Sequence, residues 1–212
     1  MRIGGFVKQS LIDYPGKIAA VVFTQGCNFR CGYCHNPQLV LPELFIEHLE
    51  LAPINIISYL AKHKNWLDGV VVTGGEPTIH KDLPLFLKEL KDLGYSIKLD
   101  TNGSNPYMLE QIVENKLVDY IAMDIKIAPE KDLYGKIIGI QMTDEIIEKI
   151  MVSILLLNNT SIEGEFRTTF IPGIHDEATV NLIQRLVGQN KSYKVNEFRE
   201  GKTIEKSVVS YE

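Results

Sequence analysis

Apolar runs of strand length recur along the chain and alternate with segments of helical periodicity. These runs are predicted strands at residues 18–24, 69–73, 96–99, 120–125, 166–171 and 193–198. Several are continuously hydrophobic, which is typical of parallel strands buried on both faces. Between them, aliphatic residues recur at spacings of three and four, as on the buried face of an amphipathic helix.

Four helices are predicted from this spacing, and short polar residues or glycine mark their ends. One begins after Asp82, a second after Asn105, and a third covers the apolar positions between 146 and 157. The fourth begins after Asp176 and ends at Gly188, since glycine commonly terminates helices. Residues 35–52 show no clear period, and we expect a surface loop or a short extra helix there.

The repeated order of strand and helix predicts an α/β fold around a parallel sheet. Six strands are too few for a closed eight-stranded barrel, so the pattern leaves either a partial, open barrel or a doubly wound sheet. In both architectures the functional loops lie at the carboxyl ends of the strands. We expect a single domain over residues 1–212, with a core of about 18–198 and a polar, unassigned segment at 200–212.

The composition and net charge of the chain argue against several classes of function. The chain is 45% hydrophobic and 23% charged, as globular proteins are, and its net charge of −5 argues against nucleic-acid binding through a basic surface. No apolar run approaches the roughly 20 residues that a membrane span needs, and no export signal is visible. We therefore expect a cytoplasmic protein without membrane or nucleic-acid partners.

All three cysteines, Cys27, Cys31 and Cys34, fall within one short segment after the first predicted strand. They cannot form a disulfide framework spread over the fold, so metal binding or catalysis is the better interpretation. Three thiolates on one loop can each bind one iron of a cubane cluster and leave the fourth iron without a protein ligand. The alternative is a zinc site that adds His35 to the three cysteines.

Polar or ligand-permissive residues follow the next strands. Gly74 and Gly75 would allow a ligand to lie against bare backbone, and the Glu76 carboxylate suits an ammonium group. The later strands end in charged or hydroxyl side chains: Asp100, Thr101, Asp124, Lys126, Arg167 and Thr169. No convincing catalytic triad is present, and we assign no general acid or base.

At this point the chain resembles the radical S-adenosylmethionine (radical SAM) superfamily, on the motif Cys-x₃-Cys-x-Tyr-Cys at 27–34 and Gly-Gly-Glu-Pro at 74–77. More narrowly it is similar to the glycyl-radical-enzyme activases, most of all to those of anaerobic ribonucleoside-triphosphate reductase and also to those of pyruvate formate-lyase. The segments that carry this narrower resemblance are IDYPGK at 12–17, QGCNFRC at 25–31, CHNP at 34–37, LDTNG at 99–103 and MDIK at 123–126.

The resemblance implies a partial, open TIM-type (β/α)6 barrel with a [4Fe–4S] cluster on the three cysteines and S-adenosylmethionine on the fourth iron. The glycines and the carboxylate of residues 74–76 would hold the methionine amine, and Tyr33 would lie near the adenine. Positions that would contribute to the cofactor or to an associated monovalent cation are Asp100, Thr101, Asp124, Lys126 and Arg167. The family commonly has a ribose-binding histidine near the last strand, where this sequence reads VNEF at 195–198.

The implied activity is reductive cleavage of S-adenosylmethionine to a 5′-deoxyadenosyl radical, which takes a hydrogen from a glycine of a partner enzyme. The partner would be anaerobic ribonucleotide reductase or a lyase, and a flavodoxin- or ferredoxin-type protein would supply the electron. An alternative is a radical SAM enzyme for a small molecule, such as a 7-carboxy-7-deazaguanine synthase. A third is a zinc-binding interaction module.

Overall fold

The computed structural model describes residues 1–45, 51–128, 130–141 and 143–205. Its centre is one seven-stranded sheet in which the spatial order of the strands equals their order along the chain. The strands are β1 (Ile3–Ser10), β2 (Ala19–Thr24), β3 (Gly69–Gly74), β4 (Ser96–Thr101), β5 (Tyr120–Asp124), β6 (Glu163–Phe170) and β7 (Ser192–Glu197).

The six strands β2–β7 are parallel, and each pairs with the next one along the chain. A doubly wound sheet would reverse the strand order partway, whereas a constant order winds the sheet in one direction into a barrel wall. Among the described residues β1 and β7 are the two edges of this wall. The prediction of a partial, open barrel is confirmed, and the doubly wound alternative is wrong.

Strand β1 lies outside the sequence prediction. Its residues include two adjacent glycines, and its second half is exposed, so it has no continuous apolar run. It pairs antiparallel with β2, with Ile3 opposite Thr24 and Phe6 opposite Val22. Its strand conformation therefore depends on the open edge of β2 rather than on a local pattern.

Seven α-helices cover the described ranges: α1 (Pro37–Val40), α2 (Pro53–Lys62), α3 (Leu83–Asp92), α4 (Pro106–Glu114), α5 (Lys131–Ile138), α6 (Asp144–Asn159) and α7 (Glu177–Val187). The four predicted helices correspond to α3, α4, α6 and α7. Asn105 and Asp176 cap as predicted, because their side chains accept from backbone N–H groups of the first turn. Asp82 does not cap α3; its carboxylate pairs with the Met1 ammonium instead.

The segment predicted as a loop or short helix contains α1 and a 3-10 turn at Pro42–Leu44. Residues 46–50 of that segment lie outside the described residues. Helices α2 and α5 were not predicted. Throughout the ranges given above, no helix has both the length and the apolar character needed to span a membrane.

The main apolar core lies between the sheet and the helices that cover its outer face. A smaller cluster fills the concave face near the amino ends of the strands and consists of Tyr14, Ala19, Val21, Val71, Tyr120 and Ala122. The Tyr14 ring is buried, with its centroid 6.0 Å from that of Tyr120. Side chains therefore close the amino end of the barrel and leave the carboxyl end for a site.

Candidate functional site

A cavity of about 250 Å³ lies at the carboxyl ends of the parallel strands. Every site residue predicted from the sequence lines it: Cys27, Cys31, Tyr33, Cys34, Gly74, Gly75, Glu76, Asp100, Thr101, Asp124, Lys126 and Arg167. The structure thus brings together side chains from the loops and ends of β2 to β6.

The segment 12–17, which carries part of the resemblance to the activases, is not in this cavity. It follows β1 and leads to the amino end of β2, where Tyr14 packs against Gly69. Ile12 is 90% exposed at the same end. This segment closes the amino end of the barrel, and none of its residues lines the cavity.

Residues 25–36, the cysteine loop, are held by backbone contacts from two helices. The N–H of Gly26 donates to Leu39 O in α1 (2.8 Å), and that of Arg30 donates to Ile138 O at the end of α5 (2.7 Å). Gly139, at φ +65°, lies so close that a β-carbon would sit 2.3 Å from Arg30 O. Only glycine allows α5 to end against this loop.

The three cysteines are free thiols on the wall of the cavity. Burial raises the pKa of the Cys27 thiol to about 12, with the Glu76 charge adding to the shift, and burial also raises the pKa of Cys31. The backbone N–H of Phe29 donates to Cys27 Sγ (3.3 Å), which favours the thiolate that a metal binds. A metal must therefore displace the thiol protons here, as metals do when they bind cysteine.

The arrangement of the cysteines does not favour a single zinc ion. Across the residues that the structure describes, no three His, Cys, Asp or Glu side chains converge closely enough to hold one metal ion. His35, the fourth ligand of the zinc alternative, has its Nε2 2.7 Å from Arg199 O. In a cubane each thiolate binds a different iron, so the three sulfurs need not converge on one point. The donor set fits a cluster better than zinc.

Gly74 and Gly75 bring the end of β3 against the start of the cysteine loop. A β-carbon at Gly74 would lie 2.3 Å from Thr24 N, and one at Gly75 would lie 2.0 Å from Gly26 O. The N–H of Glu76 donates to Gly26 O (2.8 Å). The expectation from the sequence was room for a ligand; the first requirement for these glycines is room for the neighbouring backbone.

The Glu76 carboxylate is buried and links the ends of β3 and β4. Its Oε1 accepts from the hydroxyls of Thr78 (2.6 Å) and Thr101 (2.8 Å) and from Thr78 N (3.1 Å), and its Oε2 accepts from Asn102 N (2.6 Å). Burial raises the pKa of Glu76 against the opposing effect of these donors. Much of its hydrogen-bonding capacity is therefore used within the protein.

A ring of three polar side chains connects the cysteine loop to the end of β4. Asn102 Nδ2 donates to Asn28 Oδ1 (3.0 Å), and Asn28 Nδ2 donates to Ser104 Oγ (2.7 Å). Ser104 N in turn donates to Asn102 Oδ1 (3.0 Å). Sequence reasoning missed this ring, because the two segments are distant in the chain and neither residue pattern is distinctive alone.

The predicted charged residues form one network on the concave face. Asp124 accepts from Arg167 Nε (2.9 Å) and from Lys126 Nζ (3.0 Å), while Asp100 accepts from Lys98 Nζ (2.6 Å) and lies 3.5 Å from Arg167 Nη1. Burial alone would raise the pKa of Asp124, but the two cations outweigh it and hold the pKa well below its usual range. Arg167 also interacts with the Glu165 carboxylate, which pairs with Lys194, so the network contains both cations and carboxylates beyond these five side chains.

His175 is a buried histidine that the sequence analysis did not select. It follows β6 and is 4% exposed. Ile171 N donates to its Nδ1 (3.1 Å), and its Nε2–H donates to Lys126 O (2.8 Å). The ring therefore positions the backbone of Lys126, and both nitrogens are engaged with backbone rather than with the cavity.

Replacing His175 with alanine is expected to destabilise the protein by about 2 kcal/mol near pH 8, because two buried hydrogen bonds are lost. Burial lowers the pKa of His175 in the folded chain. The imidazole stabilises the fold fully above its unfolded pKa of about 6.5 and progressively less as the pH falls through its folded pKa. Urea unfolding at about pH 8 and about pH 5.5 should show a smaller difference between wild type and variant at the lower pH. An equal difference at both pH values would contradict this assignment.

The chain is similar to several known proteins. The sequence profile of the Radical SAM superfamily matches residues 21–186. A protein of Methanocaldococcus jannaschii assigned as a glycyl-radical enzyme activating enzyme is 35% identical over 201 residues, which are 92% of this chain and 79% of that protein. The pyruvate formate-lyase-activating enzyme of Clostridium pasteurianum is 33% identical over 130 residues, 59% of this chain and 52% of that enzyme.

Two further similarities lie outside the activases. A 7-carboxy-7-deazaguanine synthase of Aquifex aeolicus is 35% identical over 80 residues, 38% of this chain and 34% of that enzyme. Among solved structures, SuiB of Streptococcus suis bound to S-adenosylmethionine matches with a TM-score of 0.68 at 15% identity. The match covers 88% of this chain and 42% of SuiB, and at this identity it supports the fold alone.

Proposed function

The chain belongs to the radical SAM superfamily, and we propose that it is an activase that places a radical on a glycine of a partner enzyme. Enzymes of this superfamily use a [4Fe–4S] cluster and S-adenosylmethionine. The observation that carries the proposal is the position of three free cysteines on the wall of the cavity that also contains Gly74, Gly75 and Glu76.

Cys27, Cys31 and Cys34 would hold three irons of the cluster. When bound, the cluster would supply one electron and S-adenosylmethionine the carbon–sulfur bond to be cleaved, which is the source of the hydrogen-abstracting chemistry. The chain's own residues have to orient the cofactor and limit the access of water. No general acid or base is needed for hydrogen abstraction, in keeping with the absence of an assigned catalytic side chain.

The strand ends would orient the methionine part of the cofactor. Gly74 and Gly75 line the cavity and would hold the amine, with Glu76 fixing the β3 and β4 ends around it. Lys126 and Arg167, two cations that line the cavity, suit the methionine carboxylate. Tyr33, which is buried next to the cysteines, would lie near the adenine.

We further propose that a monovalent cation binds beside the cofactor at Asp100, Thr101 and Asp124, whose side chains line the same cavity. Carboxylate and hydroxyl oxygens are suitable ligands for such a cation. Both carboxylates already accept from lysine or arginine, so the cation would share them and not replace those contacts.

Anaerobic ribonucleotide reductase is the partner we propose first, with a glycyl-radical lyase as the other possibility. The activase assignment rests on the relatives, two of which are named for this activity. The open barrel supports it, because the unpaired edges of β1 and β7 within the described chain leave lateral access for a peptide. A flavodoxin- or ferredoxin-type protein would supply the electron.

A second candidate function is synthesis on a small molecule, as in 7-carboxy-7-deazaguanine synthases, one of which matches part of the chain. Such an enzyme needs side chains dedicated to its substrate. The relatives named as activating enzymes cover 92% and 59% of this chain, whereas the synthase covers 38%, so the activase is favoured.

Anaerobic reconstitution with iron and sulfide, followed by reduction with S-adenosylmethionine, tests the proposal in two stages. We expect 5′-deoxyadenosine, measured by chromatography; its absence from a loaded, reduced protein would exclude both radical enzymes. Adding the reductase or lyase should then give a glycyl radical, detected by electron paramagnetic resonance. Deoxyadenosine without that signal on any such partner would favour the small-molecule alternative.

A further inference from the structure

Residues 198–205, here called the strap, follow β7 and lie across the cysteine loop. The N–H of Ile204 donates to Cys34 O (3.2 Å), and the N–H of Glu205 donates to Gly32 O (2.9 Å). The strap begins as a continuation of the sheet, because Phe198 N donates to Phe170 O (3.0 Å). The cysteine loop is thus hydrogen-bonded to a part of the chain that no site motif includes.

His35 fastens the other end of the strap. Its Nε2 lies 2.7 Å from Arg199 O, and since a carbonyl oxygen only accepts, the imidazole donates this bond. The ring also stacks on Phe198, with centroids 5.2 Å apart and planes 26° apart. A β-carbon at Gly201 would lie 3.5 Å from His35 Cδ2, in ordinary van der Waals contact.

The free end of the strap packs closely against the loop. Glu205 occupies the space in front of Gly32, where a β-carbon would lie 2.6 Å from Glu205 Cδ. Glu205 also borders a second cavity of about 210 Å³, together with Tyr33, Ile137 and Ile174. The strap is therefore one wall of the space beside the cysteines.

We infer that His35 is a positioning residue: it fastens the strap over the cysteine loop, and the strap fixes the backbone of residues 32–34 and shields the cluster from solvent. The shielding rests on the proposed function, whereas the contacts between strap and loop do not. A cluster that orders the loop must, by reciprocity of coupling, also order the strap.

Trypsin tests the first half of this inference, because Arg199 and Lys202 are exposed residues of the strap after which it cleaves. His35→Ala is expected to speed cleavage at these two sites about tenfold, since a hydrogen bond and a stacked ring are lost. His35→Gln should restore part of the protection, because an amide can donate to Arg199 O but cannot replace the stacking.

His63→Ala is the matched control. His63 likewise stacks on an aromatic ring, that of Tyr59 at 3.9 Å, and contacts Tyr59 O through Nδ1 (2.7 Å), but it ends α2 near the amino end of β3. The His63→Ala substitution should leave the rate of tryptic cleavage at Arg199 and Lys202 unchanged. Unchanged cleavage in His35→Ala, or an equal increase in both variants, would overturn the inference.

The loaded protein tests the second half. Cluster reconstitution should slow cleavage of the wild-type strap severalfold, and His35→Ala should lose this protection. The cluster of His35→Ala should also bleach severalfold faster in air than the cluster of His63→Ala. The electron paramagnetic resonance spectrum of the reduced cluster should change in His35→Ala, and His35→Gln should recover part of the wild-type stability and spectrum. No protection of the strap by the cluster in wild type would overturn the coupling. A wild-type protein that binds no iron would instead contradict the proposed function, and the cleavage comparison without cluster would still decide whether His35 fastens the strap.

Discussion

Cys31→Ala is expected to abolish assembly of an intact cluster and to reduce cleavage of S-adenosylmethionine by more than about a hundredfold. Loss of an outer-shell contact already costs 10- to 100-fold in metal affinity or activity, and loss of a ligand should cost more. Cys31 is buried and lines the cavity, and alanine offers no donor atom there in place of the sulfur. Iron and sulfide content, absorbance of the reconstituted protein and deoxyadenosine yield measure the effect.

The apo protein separates ligand loss from misfolding. Removing one small buried side chain should cost only about 1 kcal/mol, so the thermal unfolding of apo Cys31→Ala should remain close to that of the apo wild type. Cys31→Ser keeps the size of the side chain and should fail to load in the same way. Near-normal iron content with normal cleavage in either variant would refute the assignment of Cys31 as a ligand.

The sequence was sufficient for the parallel strands and for many of the residues that line the cavity. Strands such as β3 are buried on both faces, as at Val70–Val72, and such continuous apolar runs are visible without any tertiary information. The residues at their carboxyl ends then meet by topology, because parallel strands bring these ends to one edge. That rule places Glu76, Asp124 and the cysteine loop together before any contact is known.

Elements stabilised by distant partners could not be predicted in this way. Strand β1 pairs across an edge despite its glycines and polar half, and α5 contains Gly135 in its middle, which lowers helix propensity. Two of the positioning contacts join a side chain to a backbone group far along the chain, from His35 to Arg199 and from His175 to Lys126. Such contacts depend on loop geometry and leave no periodic signal in the sequence.

The same limit applies to the motifs that the sequence did identify. Gly75 was expected to make room for a ligand, yet its nearest neighbour is Gly26 O. The segment 12–17 was expected to favour activase function, yet Tyr14 closes the opposite end of the barrel. A motif therefore indicates membership of a family more directly than it indicates which atoms contact the cofactor.

Asp124→Asn is expected to destabilise the protein by about 2 kcal/mol and to weaken binding of S-adenosylmethionine about tenfold. The substitution keeps the shape of the side chain but leaves Arg167 and Lys126 without the carboxylate that joins them. The expected loss of stability is smaller than for a fully buried ion pair, because Asp124 lines the cavity and is partly exposed. The added positive charge also opposes the cationic sulfonium of the cofactor.

Asp92→Asn is the matched control, because Asp92 pairs with Lys88 at 2.7 Å on the exposed face of α3. Its loss should change stability by no more than about 0.5 kcal/mol and should leave cofactor binding unchanged.

The pH dependence of stability separates the effect of the Asp124 charge from the effect of its packing. The folded pKa of Asp124 lies below its unfolded value of about 4, so its stabilising effect is complete above about pH 5 and is lost as the pH falls through the folded pKa. Urea unfolding of wild type and Asp124→Asn should therefore converge in acid; a constant gap would indicate that the carboxylate acts through its shape rather than through its charge.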